Sequence, residues 1–317
     1  MRCLCCGLEI QDPSEQEQLD CWHKHCVRKF FGTETLPFIE VSEEELEQIA
    51  SRNAERGLTV PGVQKKLSLH HESGDGRGNR LTLVDYPAGY ILKPQTPEYA
   101  KLPEAEFLAM FIARQLGIKT VPFALIKLSD SLAYITKRID RGASGEKFAM
   151  EDFCQLSERL SEDKYRGSYE NCARVIKNYS SHATLDLTEL FMRVVASFIV
   201  GNSDLHLKNF SLIEDAPASR IFNLSDAYDI LPVNVVDERD EEELALSLNG
   251  RKNKLEKSDF LKFAEHCNIE EGVANKIIAG LVSKKEDCLE YCKESLLDDE
   301  TKDRMMRLIS ERCARLS

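Results

Sequence analysis

The chain is short of cations: 42 Lys and Arg stand against 54 Asp and Glu in 317 residues, a formal charge of −12. Neutralising phosphates takes clustered Lys and Arg, so autonomous nucleic-acid binding is not expected. It also lacks any run of about 18 apolar residues, so no membrane-spanning helix is expected. The start, Met1-Arg2-Cys3-Leu4-Cys5-Cys6, has no apolar stretch of the secretory kind, which points to the cytoplasm. Internal repeats and low-complexity linkers are missing too. What is present, 42% hydrophobic residues at a mean hydropathy of −0.35, describes an ordinary folded chain with room for two or three domains.

Eleven cysteines is an odd count, and a reducing compartment argues against a disulfide framework. Cys3, Cys5, Cys6, Cys21 and Cys26 fall in the first 26 residues, with His23 and His25 among them. Structural zinc takes four thiolate or imidazole ligands, supplied as two close pairs across a loop. Cys3-x-x-Cys6 supplies one pair and His23-x-x-Cys26 the other. Cys5, Cys21 and His25 compete for the role; free thiols on an arm and redox chemistry are the alternatives. A piece of about 30 residues cannot build an adequate core alone, and a metal would explain its folding. Four ligands leave no open position, so a catalytic zinc is not expected. The scattered Cys154, Cys172, Cys267, Cys288, Cys292 and Cys313 read as small buried apolar residues.

Composition then changes along the chain. Residues 27–40 read as a linker or short strand region punctuated by Gly32 and Pro37. Ser42-Glu43-Glu44-Glu45 is a capping box that starts a helix with Leu46, Ile49 and Ala50 on one face. Strand-like runs follow at Val63 to Leu69, Arg80 to Val84 and Gly89 to Leu92. Gly74-Asp75-Gly76-Arg77-Gly78 looks like a phosphate loop, but no helix follows it, so it reads as a hairpin turn. Pro103 and Glu104 open a helix through Leu116, and strands are expected at Val121 to Leu128 and Leu132 to Lys137. After Asp140 the chain turns helical, most clearly over Thr184 to Val200, where Leu187, Leu190, Phe191, Val194, Val195 and Phe198 recur at helical spacing. A loop with short strands occupies 201–232, and amphipathic helices fill Lys254 to Ser317. The acidic run Asp237 to Glu243 reads as a solvated loop. The expected fold is α+β and two-lobed: a Cys/His segment at 1–40, a β-rich N-lobe with one main helix at 41–140, and a helical C-lobe at 141–317.

One stretch carries chemistry. In Gly201-Asn202-Ser203-Asp204-Leu205-His206-Leu207-Lys208-Asn209-Phe210, Asp204 and Asn209 have the D-x-x-x-x-N spacing of a kinase catalytic loop. There the carboxylate accepts a hydroxyl proton and the amide oxygen holds Mg²⁺. Twenty residues on, Asp229 in Ala227-Tyr228-Asp229-Ile230-Leu231 fits a second metal ligand. Lys93, ending the apolar run Tyr90-Ile91-Leu92-Lys93, suits the lysine that neutralises α/β-phosphates, and Glu106 on the next helix can lock it. Singly, Lys93 is a solvated strand end, Glu106 a surface pair, His206 and Lys208 loop residues and Asp229 a turn cap. The ordered set points to a nucleotide with Mg²⁺. No Walker A sequence is present.

From about residue 57 onward these pieces resemble the HipA-like serine/threonine kinases, toxins of bacterial toxin–antitoxin pairs. The resemblance is carried by Gly62-Val63-Gln64-Lys65-Lys66-Leu67-Ser68-Leu69, Ile91-Leu92-Lys93-Pro94, Thr136-Lys137-Arg138-Ile139-Asp140-Arg141, Glu151-Asp152-Phe153-Cys154-Gln155, Gly201 to Ser211 and Ala227-Tyr228-Asp229. It implies a protein-kinase-like fold and transfer from ATP to a protein hydroxyl. The implied substrate is a translation component such as an aminoacyl-tRNA synthetase, and the implied partner a cognate antitoxin. Thr59-Val60-Pro61-Gly62-Val63-Gln64, with Lys65 and Lys66, matches the phosphate-covering loop, and Thr59 stands where the family carries an autophosphorylated serine. Lys137 and Ile139 would meet adenine through their backbone and Asp140 the ribose. His206, Lys208, Asn209 and Tyr228 would lie along the nucleotide, Asp204 would be the general base, and Asn209 with Asp229 would hold Mg²⁺. Longer family members carry an N-terminal subdomain where this chain has its Cys/His segment. A small-molecule kinase of the same fold and a nucleotide-binding scaffold without turnover are the rival readings.

Overall fold

A computed structural model describes residues 1–39, 66–74, 78–129, 131–142 and 145–317. They divide into two compact units, Met1–Phe107 with Pro122–Arg141, and Leu108–Val121 with Gly142–Ser317. The expected helix from Ser42, Thr59 and the loop residues Pro61, Gly62, Val63, Gln64 and Lys65 lie outside the described residues.

The first unit is built on six strands: β1 (Phe38–Ile39), β2 (Leu67–Gly74), β3 (Gly78–Val84), β4 (Tyr90–Lys93), β5 (Phe123–Lys127) and β6 (Leu132–Lys137). Their order is β1-β3-β2-β4-β6-β5. Every neighbouring pair is antiparallel except the short parallel β1–β3. β2 and β3 are a hairpin closing on the pair Gly74 and Gly78, which suits the turn reading of that glycine-rich stretch. Leu67 and Leu69 are buried while Lys66 and His70 are exposed, the alternation of a half-covered strand. β5 is an edge strand, yet Phe123, Ala124, Leu125 and Ile126 are all buried.

The N-terminal segment explains that burial. It folds into α1 (Glu15–Asp20), opened by a Ser14–Glu17 capping box, and α2 (Lys24–Phe31). The Leu125 amide donates to Leu4 O (2.8 Å), and the indole of Trp22 donates to Leu125 O (3.1 Å). An open sheet edge offers unpaired N–H and C=O groups to any passing strand; here Leu125 has both taken by the segment. The only tryptophan, 1% exposed, packs on Phe30 and Phe31, and those rings pack on Tyr90 of β4. The linker expected over 27–40 is corrected: residues 24–31 are helical. Val27, Phe30 and Phe31 fall at helical spacing on one buried face, and Gly32 (φ 76°) ends the helix.

α3 (Leu102–Gln115) follows β4 and is the one long helix amid the strands among the described residues. The second unit then holds a three-stranded sheet of β7 (Met150–Asp152), β8 (Ser211–Glu214) and β9 (Phe222–Leu224). Its helices are α4 (Phe153–Leu156), α5 (Tyr169–Tyr179), α6 (Ala183–Val200), α7 (Val233–Val236), α8 (Lys257–His266), α9 (Glu271–Val282), α10 (Lys285–Lys293) and α11 (Asp299–Leu316). α6 is the core: Leu187, Leu190, Phe191 and Val194 to Val200 are buried almost all round. The six scattered cysteines are all buried in this unit, and burial pushes the thiols of Cys267, Cys288 and Cys292 up to about 12. Among the described residues no helix is long and apolar enough to cross a membrane.

The acidic run is not simply a solvated loop. Glu243 takes a two-pronged contact from Arg315 of α11, Asp240 accepts from Ser203, and Glu242 pairs with Lys252. Burial opposes the Glu243 charge, but Arg315, the Leu255 amide and Arg312 outweigh it and hold the carboxyl below the usual range.

Candidate active site

In the first unit, Lys93 ends β4 and Glu106 sits one turn into α3. Their side chains meet at 2.5 Å with 4% and 0% exposure, and the ammonium lies 5.3 Å from the centre of the Tyr134 ring. Lys93 is thus a buried, paired cation and not a solvated strand end. Lys137 closes β6 and gives its amide to Pro122, and the Arg138 amide goes to Gly89. Asp140 is nearly buried and accepts from Arg138 at 2.8 and 2.7 Å and from Arg141 at 2.6 Å. Burial pushes this carboxyl up, yet the two guanidinium groups prevail and hold it low. Ile139 follows on the same segment, half-buried.

In the second unit, α6 ends at Gly201 in a left-handed turn (φ 74°). A Cβ there would stand 3.0 Å from Leu308, so both conformation and space call for glycine. The turn delivers Asn202, which receives the Asp204 amide on Oδ1, and then Asp204 itself, whose side chain is 43% exposed. Tyr165 donates to Asp204 Oδ1 at 2.7 Å. His206 is buried with Nε2 4.0 Å from the same oxygen. Burial pushes its imidazole down to about 4, so it is neutral at pH 7.

A single 3₁₀ turn, Leu207–Asn209, then leads into β8. Asn209 is buried; its Nδ2 donates to Asp229 O at 3.3 Å, and its Oδ1 has no hydrogen-bond partner among the described residues. Asp229 adopts φ 61°, a conformation that costs a non-glycine residue about 1 kcal/mol and recurs at functional sites. A buried amide oxygen without a donor, on a side chain tied through Nδ2 to the Asp229 backbone, is a hard ligand of the kind that suits Mg²⁺. Lys208 is engaged elsewhere in the unit, with Asp152 at 2.8 Å. The Tyr228 hydroxyl meets Ser211 Oγ at 2.6 Å and donates to Lys208 O, so its body braces the turn against β8. Tyr165 stands at no motif spacing from Asp204 and carried no signal, whereas Asp152 lies in the Glu151 to Gln155 stretch of the resemblance, without a role assigned to it there.

The N-terminal cysteines form a separate centre in the first unit. One ligand atom each from Cys3, Cys6, His23 and Cys26 lies within 4.8 Å of the others. His23 Nδ1 is 3.4 Å from Cys6 Sγ and 3.9 Å from Cys26 Sγ, against about 3.6 Å for a sulfur–nitrogen edge of tetrahedral zinc. The His23 amide points at Cys3 Sγ (3.4 Å), and His23 Nε2 lies 3.3 Å from Glu9 O, which leaves Nδ1 as the inward lone pair. Hydrogen bonds from Cys26 and Cys6 push the Cys3 thiol below its ordinary range and those of Cys6 and Cys26 above it. Cys5, Cys21 and His25 fall outside the four. The set is compatible with zinc.

Residues 58–289 match the HipA-like C-terminal domain family. A Sinorhizobium fredii protein named "Putative kinase Y4dM" is 30% identical over 228 residues, covering 68% of this chain and 54% of its own length. A "Putative kinase" of Haemophilus influenzae is 26% identical over 299 residues, covering 83% of each. The chain thus spans about half of the first of these relatives. Among solved structures, the Shewanella oneidensis HipA complex with HipB and operator DNA superposes at TM-score 0.66 and 17% identity, covering 86% of this chain and 70% of that one. Helicobacter pylori CtkA, described as a proinflammatory kinase, superposes at 0.52 and 15% identity, covering 78% and 93%. These likenesses give the fold: protein-kinase-like, α+β.

Proposed function

The chain belongs to the HipA-like C-terminal domain family, and on that premise we propose that it is an ATP- and Mg²⁺-dependent protein serine/threonine kinase. One observation carries the reading: the buried, donorless Oδ1 of Asn209 beside Asp229. When bound, Mg²⁺ supplies positive charge to the phosphate oxygens of ATP. Lys93, held in place by Glu106, neutralises the α/β-phosphates. With the Lys137 and Arg138 amides already given away, the Lys137 carbonyl and Ile139 amide take the purine edge. Asp140 takes the ribose, which must share the carboxylate with two arginines. Asp204 accepts the proton of a serine or threonine hydroxyl as its oxygen bonds to the γ-phosphorus; the bond to the β-phosphate oxygen breaks and ADP leaves.

The finer assignments rest on the family resemblance. The acceptor is a translation component such as an aminoacyl-tRNA synthetase, and growth arrest follows its phosphorylation. Autophosphorylation at Thr59 would place about −2 charge in a loop that must cover phosphates, which switches the enzyme off. A cognate antitoxin is the partner, as HipB accompanies the Shewanella protein. Zinc on Cys3, Cys6, His23 and Cys26 holds the N-terminal segment folded. Eleven free cysteines suit a reducing cytoplasm.

The test is label transfer from γ-labelled ATP to protein in a heat-treated bacterial extract. Phosphoserine or phosphothreonine is expected with the native chain and not with Asp204→Asn. Labelling by both proteins alike overturns the role of Asp204. Consumption of ATP on a hydroxylated metabolite without protein label overturns the protein acceptor.

A further inference from the structure

Asp204 is a partly exposed carboxylate on a loop, and such a side chain samples several rotamers unless something holds it. A general base works only when its oxygen is held within a few tenths of an ångström of its task. What holds Asp204 is a residue 39 positions earlier in the chain: the phenol of Tyr165 donates to Oδ1 at 2.7 Å. His206 does not share the work, since its Nε2 stands 4.0 Å away, beyond hydrogen-bond reach.

Tyr165 is itself fixed. Its ring meets the His206 ring edge-on at 5.1 Å, and the Lys164 ammonium lies 4.8 Å from its centre. The Leu207 amide donates to Lys164 O, so the backbone that carries Tyr165 is tied to the catalytic turn. The 3₁₀ turn Ser161–Asp163 precedes this segment and α5 follows it. Desolvation, then the Asp204, Asp240 and Asp229 charges, push the phenol above its ordinary pKa, which keeps it a donor at any physiological pH.

The geometry points to Tyr165 as the positioning residue of the phosphoryl transfer: its hydroxyl pins Oδ1 of Asp204 and so presents Oδ2 to the acceptor hydroxyl. The inference rests on Asp204 being the general base. Its prediction is specific to the chemical step. Tyr165→Phe keeps the ring against His206 and Lys164 and removes only the hydrogen bond. General-base catalysis is worth about 10²–10⁴-fold, and losing the orientation of the base forfeits part of it, roughly tenfold in kcat.

The experiment measures initial rates of label transfer from γ-labelled Mg-ATP to heat-treated extract protein across a range of ATP. The proteins compared are the full chain, Tyr165→Phe, Asp204→Asn and the double variant, with a thermal melt of each. Tyr165→Phe is expected to lose about tenfold in kcat at unchanged KM for ATP and unchanged melting temperature. The double variant is expected to be no slower than Asp204→Asn. Wild-type kcat in Tyr165→Phe, with Asp204→Asn inactive, overturns the positioning role alone. A loss in KM instead of kcat, or a loss that tracks a lowered melting temperature, also overturns it. Full turnover by Asp204→Asn overturns the underlying reading of the base.

Discussion

The buried Lys93–Glu106 pair makes the sharpest demand on the account. The two side chains meet at 2.5 Å with 4% and 0% exposure, so each charge has given up its water for the other. Replacing Glu106 by Gln removes a fully buried carboxylate that faces the ammonium, at a cost of about 3–5 kcal/mol. At about 2–4 °C per kcal/mol, the melt of the first unit should fall by roughly 6–20 °C. Replacing both residues, Lys93→Met with Glu106→Leu, removes both desolvation penalties and should return stability to within about 1 kcal/mol of the native chain. The assay is urea unfolding followed by circular dichroism, with the two units fitted as separate transitions, across a double-mutant cycle. The stable double variant should still transfer no phosphoryl group, since the proposed task of the amine is at the phosphates of ATP. A single-variant cost below about 1 kcal/mol, or a double-variant cost equal to the sum of the singles, would refute the reasoning.

Other consequences can be checked separately. Trp22→Ala should cost about 3–5 kcal/mol in the first unit, since it empties a fully buried site and leaves Leu125 O without its donor; urea unfolding reads it. Purified protein should carry about one zinc per chain by elemental analysis, lost in Cys6→Ser, and chelation should lower the first unit's melting temperature; metal-free protein with an unchanged melt would contradict this. Glu243 has its folded pKa held below the unfolded value, so its contribution is complete at neutral pH and is lost as pH falls through the lowered folded pKa. Glu243→Gln should therefore destabilise the second unit by about 2 kcal/mol at pH 7, and the deficit should shrink on acidification.

Local chemistry made much of the molecule legible. The apolar stripe of Thr184 to Val200 announced α6, and Gly201 stopped it where the left-handed turn demanded. Alternation and turn residues placed β2 to β6 within a few positions, although β2 runs on to Gly74, beyond the expected Leu69. Spacing alone named Cys3, Cys6, His23 and Cys26 ahead of Cys5, Cys21 and His25, and the structure gathers those four. What stayed hidden depends on distance along the chain. Nothing near Trp22 says that its indole reaches Leu125, 103 positions on. Gly32 and Pro37 drew the eye to a linker, whereas Val27, Phe30 and Phe31 carried the helical signal. Glu243 looked solvated because its partners, Arg312 and Arg315, arrive on the final helix. Tyr165 had no motif at all and matters only through the loop that folds against it.

The proposal beneath the rest is that this chain binds Mg-ATP, with Lys93 serving its phosphates and Asn209 and Asp229 its Mg²⁺. Calorimetric titration of the full chain with ATP, in Mg²⁺ and in EDTA, tests it most directly when repeated on Lys93→Met/Glu106→Leu and on Asp229→Asn. The account predicts one nucleotide per chain, bound at least about tenfold more weakly in EDTA and in either variant while both remain folded. Affinity indifferent to Asp229→Asn and to Mg²⁺, or separate nucleotide sites that each variant removes independently, would contradict it.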